Sequence, residues 1–82
     1  MSSVNLLRQE MNTLSKDLVQ LLLMRKELSA KIIQEKGIIG LEAKDPHRET
    51  ELMNLLTKNL KDEDKVFIEA VFAKLFELSR GS

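Results

Sequence analysis

Three basic residues, Arg8, Arg25 and Lys36, and one short segment, Asp45-Pro46-His47-Arg48-Glu49, are where this chain can do chemistry. Arg25 stands in a column otherwise reserved for hydrocarbon: Val4, Leu7, Met11, Leu14, Leu18 and Leu21 precede it at alternating spacings of three and four, and Leu28 and Ile32 follow. A guanidinium taken out of water is expensive unless an anion meets it. It either binds an anionic ligand or fixes the register of a helix pair against a carboxylate. On a helix, Ser29, Ile32 and Lys36 lie at i+4, i+7 and i+11 from Arg25, so Lys36 shares nearly the same face about three turns on. Two cations on one inward face ask for an anionic ligand. Arg8 alone reads as a solvated surface residue, as most arginines are.

The segment after position 44 has a structural reading that suffices by itself. Asp45 is a helix N-cap, Pro46 suits the first helical position, and Arg48 and Glu49 form an ordinary surface pair. His47 has no second His or Cys nearby, and it reads as exposed, neither metal ligand nor base. The chain has no cysteine, hence no thiol nucleophile, disulfide or thiolate metal site. Nor does it have a Ser/His/Asp arrangement, a glycine-rich phosphate loop or a paired-His motif. If the chain is an enzyme, its chemistry should need positioning and charge stabilisation, with no nucleophile.

The elements that must position these groups are helical. Met1 to Gly40 read as one amphipathic helix, capped by Ser2, Ser3 or Asn5 and free of Pro and Gly until Gly37-Ile38-Ile39-Gly40 ends it. Leu41 to Lys44 connect to a second helix opened by Asp45-Pro46, with Leu52, Met53, Leu55, Leu56 and Leu60 on its apolar face and Lys58 and Lys61 near its end. Asp62 or Asp64 caps a third helix, which carries Phe67, Ile68, Val71, Phe72, Leu75, Phe76 and Leu78 and runs to about Arg80. No strand alternation or repeat is present, so residues 1–82 read as one all-α domain of one long and two short helices.

A helix of roughly 35 residues is about 50 Å long, more than a globule of this size can cover, which leaves an apolar stripe for a partner. Dimerisation through the long helix, as an antiparallel helical homodimer, would cover it. Arg8 precedes Arg25 by 17 residues, about 25 Å along a straight helix, so the two cannot grip one small ligand within a chain. Crossing two long helices about a dyad near residues 17 to 20 brings Arg8 of one copy alongside the Arg25–Lys36 segment of the other, giving two pockets built in trans. With 13 basic and 13 acidic residues the net charge is zero, which argues against a nucleic-acid or anionic-membrane surface. The three Phe are the only aromatics and all lie in the third helix, so a base-stacking platform is not expected. The densest apolar run, Leu18 to Met24, is too short to span a bilayer and no signal-peptide pattern opens the chain; a soluble, cytoplasmic protein is expected.

Leu7-Arg8, Leu21-Leu22-Leu23-Met24-Arg25-Lys26-Glu27-Leu28, Lys36 and Asp45-Pro46-His47-Arg48-Glu49 together resemble the all-helical chorismate mutase family, the AroQ class. The separations among Arg8, Arg25, Lys36, Asp45, Arg48 and Glu49 follow that family's pattern without a gap. Phe67-Ile68-Glu69-Ala70-Val71-Phe72 resembles the start of its last helix and places Ser79 at the family's serine position. The resemblance implies an intertwined dimer that rearranges chorismate to prephenate with no cofactor, metal or covalent intermediate. It assigns Arg25 and the second copy's Arg8 to the two carboxylates and Lys36 to the ether oxygen as well. Glu49, with the backbone near Asp45, takes the ring hydroxyl, Arg48 braces that corner and Ser79 touches a carboxylate. Two departures stand out: Asn12 and Ser15 replace the usual acidic residues of the first helix, and the Gln or Glu expected four residues beyond the serine falls at position 83, past Ser82. Either the sequence is cut short there, Arg80 substitutes, or Lys36 works alone at reduced rate; the expectation is a mutase. Its alternatives are an isochorismate-pyruvate lyase on the same scaffold and a non-catalytic helical dimerisation or regulatory module.

Overall fold

The structure, a computed structural model, describes residues 3–79. Those residues form three helices and no strand: α1 (Ser3–Ile38), α2 (Pro46–Thr57) and α3 (Asp62–Ser79). The Ser2 cap and the end of the third helix at about Arg80 lie outside the described residues. Among the described residues, no helix is long and apolar enough to cross a membrane.

The end of α1 is fixed by hydrogen bonds that the glycine pattern foreshadows. Gly37 remains helical, and Gly40 takes a positive φ of 79°. Leu41 N–H then donates to Lys36 O at 2.7 Å and Gly40 N–H to Gly37 O at 3.3 Å, the paired bonds of a Schellman cap. Lys36 thus sits at the last turn with its carbonyl held by the connector. An alanine at position 40 meets no steric neighbour but must adopt the left-handed backbone region. Gly40→Ala is accordingly expected to cost about 1–2 kcal/mol in chemical denaturation, through backbone strain alone.

The start of α2 is the sequence-level cap made concrete. Asp45 Oδ1 accepts from Arg48 N–H at 3.0 Å, Asp45 O accepts from Glu49 N–H at 3.0 Å, and Pro46 begins the helix. Its end comes earlier than expected. The helix stops at Thr57, whose Oγ1 donates back to Met53 O at 2.8 Å and whose carbonyl receives Leu60 N–H at 3.0 Å in a closing turn. Leu60, Lys58 and Lys61 therefore lie past the helix rather than on it. The opening of α3 differs too. Lys61 O accepts the first helical bond, from Lys65 N–H at 2.9 Å, so Lys61 occupies the cap position. Asp62, Glu63 and Asp64 form the first turn, where their charge complements the helix dipole instead of capping it.

Helix α3 packs against both others, turning Ile68, Phe72, Leu75, Phe76 and Ser79 inward. Phe76 is the one buried apolar residue among the described residues. On α1 the face toward α3 is Leu22, Arg25, Ser29, Ile33 and Lys36, whereas Leu21, Leu28 and Ile32 of the heptad column are exposed. At 3.6 residues per turn these two stripes lie on opposite sides of Arg25, which stands at their boundary. Every residue from Ser3 to Leu21 is exposed, as are Val66, Phe67, Val71 and Leu78 on the far side of α3. The molecule measures 58 × 27 × 17 Å, with a radius of gyration of 16.2 Å. A compact chain of this length would have about 12 Å. Its accessible surface is 6991 Å², against about 5,000 Å² for a compact monomer of this mass.

Candidate active site

The inward face of α1 builds the site from one end. Arg25 Nη1 donates to Ser79 Oγ at 3.0 Å, which ties mid-α1 to the last turn of α3. The Arg25 guanidinium carbon lies 5.6 Å from the Phe72 ring centroid and 5.8 Å from that of Phe76, both within cation–π range. The two rings stand edge to face, 6.0 Å apart at 65°. Among the described residues no carboxylate pairs with Arg25. The carboxylate that a register-setting arginine would need is thus replaced by two aromatic rings and a hydroxyl. Desolvation holds the Arg25 pKa below the ordinary arginine value, and the group remains cationic at working pH.

Three turns on, Lys36 closes the same face. Its side chain is 14% exposed, its Nζ donates to Ala43 O at 3.2 Å, and Asp45 Oδ2 stands 3.9 Å away. Asp45 therefore serves two elements at once, with one oxygen capping α2 and the other facing the lysine. The Schellman cap makes this possible because it folds the connector back over the last turn of α1.

Glu49 follows on the first turn of α2 and is half-buried. It lines a recess of about 180 Å³ with Lys44, Ala73, Phe76 and Glu77. A second cleft, about 390 Å³, opens between α1 and α3 beside Leu22, Leu23, Arg25, Lys26, Leu75, Leu78 and Ser79. Phe76 joins the two ends, since its ring meets Arg25 and also walls the Glu49 recess.

The structure thus brings together Arg25 with Ser79, and Lys36 with Asp45, along one face of α1, with Glu49 set against α3 through Phe76. Two candidates stay apart. Arg8 is exposed on the α1 arm and touches no other helix. Arg48 points outward and pairs with Glu51 at 3.2 Å. His47 is 92% exposed, in keeping with its reading as a surface residue, and stands 3.9 Å from Glu51. The sequence reading missed the role of Phe72 and Phe76 as neighbours of Arg25. Their spacing before Ser79, seven and three residues on one helix face, was the available signal.

Fold and site together define an all-α protein in which an arginine and a lysine share the inward face of one long helix. The chain belongs to the chorismate mutase type II family, matching that family across residues 7–82. No curated protein and no solved structure matches it.

Proposed function

We propose that this protein is a chorismate mutase that works as a homodimer with two active sites, each completed by Arg8 of the second copy. The observation that carries the reading is Arg25: an inward-facing cation, held by a hydroxyl and two rings and opposed by no carboxylate among the described residues, within a family match that spans nearly the whole chain. A cation kept in this state is ready for an anionic ligand, and chorismate carries two carboxylates.

The chemistry asked of the site is modest. The rearrangement breaks a carbon–oxygen bond as a carbon–carbon bond forms within one molecule, so no nucleophile and no net proton transfer are needed. Arg25 and the second copy's Arg8 would grip the carboxylates and select the compact conformer in which the reacting carbons meet. Lys36, which keeps ammonium protons beyond the one given to Ala43 O, would donate to the ether oxygen, where negative charge grows. Glu49 and the backbone at Asp45 would take the ring hydroxyl, Arg48 would brace that corner, and Ser79 would share a carboxylate with Arg25.

The surface supports the dimer. The bare α1 arm and the outer side of α3 expose Leu7, Met11, Leu14, Leu18, Phe67 and Leu78 at 54–72%. A surplus of about 2,000 Å² per chain over a compact monomer corresponds to an interface of obligate-homodimer size. A helical arm without tertiary neighbours gains its stability from being covered.

A dianionic mimic of the bicyclic transition state separates a catalytic pocket from a dimerisation module. At 100 times its Kd it should stabilise the protein by about 2.7 kcal/mol, read as a raised thermal midpoint, while sedimentation shows a dimer with or without it. A dimer whose midpoint the mimic leaves unmoved would be a module with no pocket.

A further inference from the structure

We infer that Phe76, braced by Phe72, is a positioning residue that aims the Arg25 guanidinium. The contact geometry stands by itself, and only its consequence for turnover rests on the mutase reading. A guanidinium has five N–H donors in its plane and offers its flat face to aromatic rings. A carboxylate partner would occupy two of those in-plane donors and compete with any anionic ligand. A ring holds the cation electrostatically and uses none of them.

Arg25 is held in this second way. Its carbon is nearly equidistant from two rings, at 5.6 and 5.8 Å, and Ser79 Oγ accepts from a single nitrogen at 3.0 Å. The rings constrain one another through their edge-to-face contact, and Phe76, 5% exposed, has little freedom to change rotamer. Phe76 also walls the recess holding Glu49, so its position sets the aim of Arg25 and the distance of that cation from the Glu49 end. An aliphatic side chain of similar bulk at position 76 would preserve packing and lose the hold on Arg25.

Phe76→Leu tests this, with Phe76→Tyr, which keeps the ring, as the conservative variant. The first readout needs no substrate: the Arg25 Nε–H resonance of the ligand-free protein, assigned through Arg25→Lys. Ring currents should displace it from the free-arginine position in the wild type and in Phe76→Tyr, and much of that displacement should vanish in Phe76→Leu. The second is kcat/KM for chorismate, expected to fall about tenfold in Phe76→Leu and to be largely restored in Phe76→Tyr. If Phe76→Leu does not fold, Phe72→Leu at the half-buried ring carries both readouts with smaller changes in the same direction. A folded Phe76→Leu protein with an unmoved Arg25 resonance overturns the inference, as does kcat/KM within twofold of an active wild type. A wild type that converts no chorismate but shows the displaced resonance, lost in Phe76→Leu, keeps the positioning and removes the mutase reading.

Discussion

Lys36→Ala is expected to lower kcat by about 10²–10³, with KM for chorismate within a few fold of the wild type. The size follows from where charge appears. In the ground state the ether oxygen is a weak acceptor; as its carbon–oxygen bond breaks it gains negative charge, and an ammonium nearby stabilises the transition state more than the substrate. Lys36 is held at the last turn of α1, with Ala43 O at 3.2 Å and Asp45 at 3.9 Å, and on the mutase reading it would be preorganised for this. Losing one oxyanion donor costs about 2.7–4 kcal/mol in other enzymes. Loss of the lysine leaves Asp45 solvated, at 41% exposure, and still capping α2, so the variant remains folded. Lys36→Gln, which keeps a donor and loses the charge, is expected between the two. Steady-state kinetics checks this, and a fall in kcat of less than threefold would remove Lys36 from the transition state.

The second large effect depends on two copies of the chain. Arg8→Ala and Arg25→Ala are each expected to reduce kcat/KM by more than about 10³ as homodimers, since each would remove one of the two proposed charge-assisted grips on the dianion. Mixing and refolding the two variants regenerates activity. Each mixed dimer has one site with both arginines and one with neither, so an equimolar mixture should regain about a quarter of wild-type activity. Arg8 lies on an exposed arm, while Arg25 is turned toward α3, so a second copy would have to bring them together. A mixture no more active than its components would show that Arg8 and Arg25 do not meet across a dimer.

Much of the fold was legible because strong local chemistry wrote it. Asp45-Pro46 specified a capped helix start, and Gly40 a left-handed stop; both occur where those residues make them inexpensive. The end of α2 and the cap of α3 were not legible. Lys58, Asn59 and Leu60 carry no Gly or Pro to mark a break, and the turn there is closed by backbone bonds to Thr57 and Lys61 that any residue could make. The cations were legible from spacing, since Arg25 and Lys36 do share the inward face. How Arg25 is met was not. A charge among leucines pointed to an anion and gave no sign of the rings that meet it, which come from residues about fifty positions away and read in sequence as core.

The most direct measurement is incubation of the purified protein with chorismate, following its loss and identifying the product, with isochorismate in parallel. Prephenate from chorismate, with isochorismate untouched, is the predicted result. A folded dimer that converts neither substrate would contradict the mutase assignment, and pyruvate released from isochorismate alone would assign the scaffold to the lyase reaction instead.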